Sequence, residues 1–131
     1  MATKRHEICS VTELPLGSRR IVEIGYRSIG VFNVDGRFYA VRNRCPHQGA
    51  PLCRGTLAGT MLPSAPGEYR YGLEGRVLRC PWHSWEFDVT TGEMVFVPDP
   101  MRVKTYTVTV EPPALEMYAV EVEDQMVVLY V

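Results

Sequence analysis

The chain has 131 residues, enough for one domain with its own core and too few for a second catalytic domain. Its 14 basic and 15 acidic residues give a net charge of -1 with no basic run, which argues against a nucleic-acid partner. No stretch of 18 apolar residues and no apolar region behind the N-terminus occurs, so a soluble cytoplasmic protein is expected.

Short β-type runs recur between turn signals: Glu7 to Val11, Arg20 to Ile24, Ser28 to Val34, Phe38 to Arg42, Val77 to Arg79, Trp85 to Val89, Val103 to Val110, Ala119 to Glu123 and Met126 to Val131. Asp35-Gly36 marks a tight hairpin, because glycine accepts the positive φ that such turns need, and Glu123-Asp124 separates the last two strands similarly. The expected fold class is therefore all-β with antiparallel neighbours. Pro112-Pro113-Ala114-Leu115-Glu116-Met117 allows one turn of helix at most. Between Leu57 and Gly75 the glycines and prolines are dense, and Glu68 to Tyr71 alternates, so a long loop with a small hairpin is expected there.

Two clusters of soft donors stand out: Cys45-Pro46-His47 and Cys80-Pro81-Trp82-His83. Each supplies one thiolate and one imidazole at the end of a β-run, and each contains a proline that keeps the preceding cysteine extended. Gly49 and Pro51 in the first loop and Ser84 after the second favour turns that aim backbone N–H groups at a buried anion. Two Cys and two His are also a legitimate tetrahedral zinc set, although C-x-H is shorter than the usual zinc spacing. Without an export signal the four cysteines read as metal or redox thiols, not as two disulfides. Cys9, in a strand, and Cys53, beyond the first loop, are expected to be packing residues, and His6 to be solvated.

The stretches Cys45-Pro46-His47-Gln48-Gly49-Ala50-Pro51-Leu52 and Cys80-Pro81-Trp82-His83-Ser84-Trp85-Glu86-Phe87-Asp88 resemble the Rieske family, whose pattern is C-x-H, a spacer and C-x-x-H. The resemblance runs from about Ile8 to Val110. It implies a Rieske-like antiparallel β-sandwich, a single domain over 1–131, with a cluster-binding subdomain of two loops at about 43–54 and 79–88 and an atypical insert at about 57–75. It also implies one [2Fe–2S] cluster per chain, with Cys45 and Cys80 on one iron and His47 and His83 on the other.

The second cysteine pair of respiratory Rieske proteins is absent, its positions here being Ala50 and Trp82. Trp85 and Phe87 stand where those proteins use Ser and Tyr to hydrogen-bond sulfur, so a low-potential centre is expected, shielded by Trp82, Trp85 and Phe87. The similarity extends to ferredoxin components of ring-hydroxylating dioxygenases and to small subunits of nitrite reductases. It implies an electron carrier between a reductase and a terminal oxygenase or reductase, with no catalytic residues of its own and a monomer expected. A fixed subunit of a multicomponent reductase and a cluster-based accessory protein remain the alternatives. The insert, about twice the usual spacer, is expected to modify docking. Asp88 and Asp99 are expected to be strand-end or turn residues.

Overall fold

In the computed structural model, which describes residues 3–61, 66–67, 70–82, 84–95, 101–112 and 125–131, the all-β expectation is met. The strands are β1 (Arg5–Ser10), β2 (Arg19–Ile24), β3 (Arg27–Val34), β4 (Arg37–Arg42), β5 (Thr56–Met61), β6 (Tyr71–Arg79), β7 (Glu86–Asp88), β8 (Thr105–Glu111) and β9 (Met126–Tyr130). Six of them form a sheet in the order β1-β9-β8-β4-β3-β2, and the other three form a second sheet in the order β5-β6-β7, with antiparallel neighbours throughout. The expected Ala119 to Glu123 strand, the Glu123-Asp124 turn and the turn of helix from Pro113 onward lie outside the described residues.

The β3–β4 hairpin explains why two cores form. Its turn is left-handed at both Asp35 (φ 52°) and Gly36 (φ 86°), which matches the twist of the strands and sets the register Val31↔Ala40, Phe32↔Tyr39. Alternation then sends Ile29, Val31 and Ala40 to one face, where they pack with Cys9, Leu14, Val127 and Leu129. Phe32, Val34 and Val41 go to the other face, against Leu52, Cys53, Leu78 and Phe87. Asn33, only 4% exposed, is satisfied in place: Nδ2 donates to the Leu14 carbonyl (2.8 Å) and Oδ1 accepts from Gly36 N (2.9 Å). The second core is the seat of the smaller sheet.

The hairpin expected within segment 57–75 is present but larger than expected, because β5 and β6 form its arms. Its two ends are ladder: Thr56, Leu57 and Ala58 pair with Arg79, Leu78 and Val77, and Thr60 and Met61 pair with Gly72 and Tyr71, while residues 62–65, 68 and 69 lie outside the described residues. The register shifts between Ala58 and Thr60, where residues 73–76 bulge from β6 with positive φ at Leu73 (54°) and Gly75 (77°). A Cβ on Gly59 would lie 2.3 Å from the Gly72 carbonyl oxygen, so only glycine permits this approach. The glycines that read as loop signals are what let two strands pair across a bulge.

Candidate metal centre

The two donor loops hang from one hydrogen-bond frame used twice. In the first, Cys45 N donates to the Ala50 carbonyl (2.8 Å) and Gly49 N donates to the Cys45 carbonyl (2.8 Å). In the second, Cys80 N donates to the Trp85 carbonyl (2.8 Å) and Ser84 N to the Cys80 carbonyl (3.0 Å). The residue four after each cysteine is left-handed, Gly49 at φ 79° and Ser84 at φ 60°. Each cysteine is thus fixed at the base of a closed loop by its own backbone.

This frame buries both thiols, Cys45 at 1% and Cys80 at 2% exposure, and sets them side by side within hydrogen-bonding reach. Burial pushes the Cys45 thiol up, the N–H groups of His47 and Gln48 at the sulfur oppose this, and the neighbouring Cys80 pushes it up further. Neither cysteine is in a disulfide, and backbone N–H groups aim at sulfur as the loop composition suggests. Such a pair suits a cation: a metal centre that takes both sulfurs as thiolates removes the cost of burying them.

His47 lies in the first loop with its ring stacked on Trp85 of the second, the centroids 3.9 Å apart and the planes 9° from parallel. Its Nδ1 is buried. The structure therefore brings the thiols of two of the four expected donors, Cys45 and Cys80, together and sets the His47 ring against the second loop through Trp85, whereas His83 lies outside the described residues. Among the described residues no group of three His, Cys, Asp or Glu side chains is disposed to hold a single metal ion.

The expected apolar shell needs one correction. Phe87 is fully buried and Trp85 half-buried, but Trp82 is 56% exposed, because it rides on the outer crest of the second loop, between Cys80 and Ser84. Cys9 and Cys53 are packing residues as expected: both are buried, and burial pushes the Cys53 thiol up to about 12. His6 is not fully solvated, since β1 sets it opposite Leu129 and leaves it half-buried. Asp88 ends strand β7 as expected, accepting from Thr90 N (2.9 Å), and it also anchors Arg76 on the β6 bulge (2.6 Å), whereas Asp99 lies outside the described residues.

Two residues that the sequence reading passed over hold the first loop to the sandwich. Asn43 Oδ1 accepts from Cys53 N (2.8 Å) while its Nδ2 donates to Ser28 Oγ (3.1 Å), so it ties the loop's two ends to each other and to β3. Arg19 of β2 donates from Nη1 to the carbonyls of Cys53 (2.8 Å) and Gly55 (2.5 Å). A polar residue just before a donor loop is a signal that could have drawn attention to Asn43. Arg19, 34 residues from Cys53, carried none.

Comparison with known proteins agrees with this geometry. The Rieske [2Fe-2S] domain family matches residues 4–107. The chain is 30% identical over 111 residues to the ferredoxin component of the naphthalene 1,2-dioxygenase system of Pseudomonas aeruginosa, covering 85% of this chain and 91% of that protein. It is 33% identical over 104 residues to apoptosis-inducing factor 3 of Mus musculus, covering 79% of this chain but only 14% of that much longer protein. Among solved structures, a chain from the complex of reduced oxygenase and oxidized ferredoxin in carbazole 1,9a-dioxygenase superposes with a TM-score of 0.65 at 25% identity, covering 94% of this chain and 99% of that one. The twin loops, their buried thiol pair and a match over most of its length together show that the chain belongs to the Rieske [2Fe-2S] domain family.

Proposed function

We propose that the protein is a one-electron carrier whose Cys45, His47, Cys80 and His83 hold a single [2Fe–2S] cluster, and that it passes electrons from a reductase to a terminal oxygenase. The observation that carries this reading is the buried thiol pair of Cys45 and Cys80 at matching positions in two loops of identical hydrogen-bond pattern. Held there, the cluster supplies one reversible electron. The chain's residues do the rest. Cys45 and Cys80 give their sulfurs as thiolates, the N–H groups of His47 and Gln48 offset the resulting negative charge, and Trp85 orients the His47 ring and keeps water from one face of it. Phe87, packed below, brings no hydroxyl to the site.

The relatives support the carrier role: one is the ferredoxin component of a dioxygenase system, and a structural neighbour is a complex of oxygenase and ferredoxin. No catalytic residue of this chain is assigned, and substrate chemistry falls to the partner. Trp85 and Phe87 bring no hydroxyl to the sulfurs and so leave their negative charge less compensated, which favours the low-potential branch. Optical redox titration of the purified protein tests this: a one-electron transition below about 0 mV is expected, and a midpoint near the upper end of the Rieske range, about +300 mV, contradicts it.

A further inference from the structure

We infer that the cluster end of the molecule docks an acidic face of its redox partner, with Arg44 and Arg54 as the attracting charges and Trp82 as the apolar contact. This rests on the electron-carrier reading and specifies the chemistry of the partner. The net charge of -1 hides a local imbalance: residues 36–67 contain Arg37, Arg42, Arg44 and Arg54 and no Asp or Glu. Residues 75–85 carry Arg76 and Arg79 and again no acid.

The ion pairs decide which of these charges face outward. Arg76 is taken up by Asp88 and Arg79 by Glu86, and Glu93 is taken up by Arg102. Glu23, which approaches the base of the first loop, accepts a hydrogen bond from Ser28 Oγ (2.9 Å). Arg44 and Arg54 enter none of the ion pairs seen among the described residues, and both are exposed.

Position then ties the charge to the first donor loop. The Arg44 guanidinium lies across the crest of the first loop: its Nε and Nη2 are 3.4 and 3.5 Å from where a Cβ on Gly49 would stand, two residues from His47. Arg54 closes the same loop, in a turn whose carbonyls Arg19 pins to the sandwich. Trp82, 56% exposed on the second loop, adds an apolar surface that water does not favour. A cationic pair on the first loop and an exposed tryptophan on the second complement an acidic rim and an apolar contact on a partner, features that steer encounter and fix orientation.

Small redox probes read this charge without the partner. The protein, reduced by dithionite, is mixed in stopped flow with ferricyanide, which takes one electron to become ferrocyanide, or with tris(phenanthroline)cobalt(III), which takes one electron to become the cobalt(II) complex. The rate constant for the anionic oxidant is expected to fall as salt is raised and that for the cationic oxidant to rise. In the Arg44→Glu/Arg54→Glu variant both salt trends should invert, and the ferricyanide rate at low salt should drop about tenfold. A second readout does not use electron transfer: iodide should quench the fluorescence of exposed Trp82 more than caesium does, and charge reversal should exchange the two. Salt slopes of one sign for both oxidants, or an iodide preference that survives charge reversal, overturns the inference while leaving the carrier reading intact. A protein that takes up no electron contradicts the carrier reading, and iodide against caesium still decides the charge.

Discussion

Replacing Gly30 with alanine tests how closely the first donor loop is packed on the sandwich. A Cβ there would stand 2.4 Å from Cys53 Sγ, 2.8 Å from Cys53 Cβ and 3.0 Å from Phe32 Cε2, all inside ordinary contact. Phe32 and Cys53 are fully buried, so neither can swing into solvent. Overfilling a packed core by a methyl group costs about 1–3 kcal/mol, and with the Cys53 Sγ contact so short the upper end is expected, about 3 kcal/mol. Cys53→Ala alone, which vacates the sulfur's space, should cost about 1–2 kcal/mol. In the double variant the new methyl group occupies part of that space, so the two costs should fall short of additivity by at least about 1 kcal/mol. Urea midpoints of the four proteins, compared at unchanged slope, measure the cycle. Additivity to within about 0.5 kcal/mol would refute the packing argument. So would loss of visible absorption in Cys53→Ala, which would make that thiol a ligand.

Ser84 is left-handed without being glycine, so Ser84→Gly should relieve strain and raise stability by about 0.5 kcal/mol, while Gly49→Ala in the twin position should lower it by about 1–2 kcal/mol; thermal melts showing the opposite order would contradict the shared frame. Trp85→Ala removes the ring stacked on His47 and should speed bleaching of the visible bands by an iron chelator several-fold, with Trp85→Phe in between; an unchanged bleaching rate would mean the stack does not hold the imidazole in place. Burial works to raise the Asp88 carboxyl, but its bonds from Arg76 and Thr90 outweigh that and hold it below its ordinary 3.8. Its contribution is therefore present above pH 4 and is lost as pH falls through the depressed value, so Asp88→Asn should flatten the loss of stability below pH 4, and parallel acid-unfolding curves would contradict this. Replacing residues 62–70 by a short turn should leave the visible spectrum unchanged, since the β5–β6 ladder nearest the donors lies at the other end of the hairpin, Thr56↔Arg79.

Much of this was legible in the sequence because the signals were local. Asp35-Gly36 demands a tight turn and the alternation of Phe32, Val34, Ile29 and Val31 assigns the two faces. The candidate donors Cys45, His47 and Cys80 stood out for the same reason, each lying within three residues of another candidate and just after a β-run. What escaped depends on contacts distant in the chain. The pairing of Thr56 to Ala58 with Val77 to Arg79 crosses a segment whose glycines look like loop, and nothing near Arg19 announces that it binds the carbonyls of Cys53 and Gly55. Trp82 was misplaced because a tryptophan beside a ligand reads as shielding, whereas the bonds that close the second loop leave it on the crest.

The most direct test of the central claim is iron and acid-labile sulfide analysis of freshly purified protein, set beside its visible spectrum and those of the four single Cys→Ser variants. The account predicts two irons and two sulfides per chain, a coloured protein, and loss of both colour and iron in Cys45→Ser and Cys80→Ser but not in Cys9→Ser or Cys53→Ser. A colourless protein holding one tightly bound zinc would contradict it.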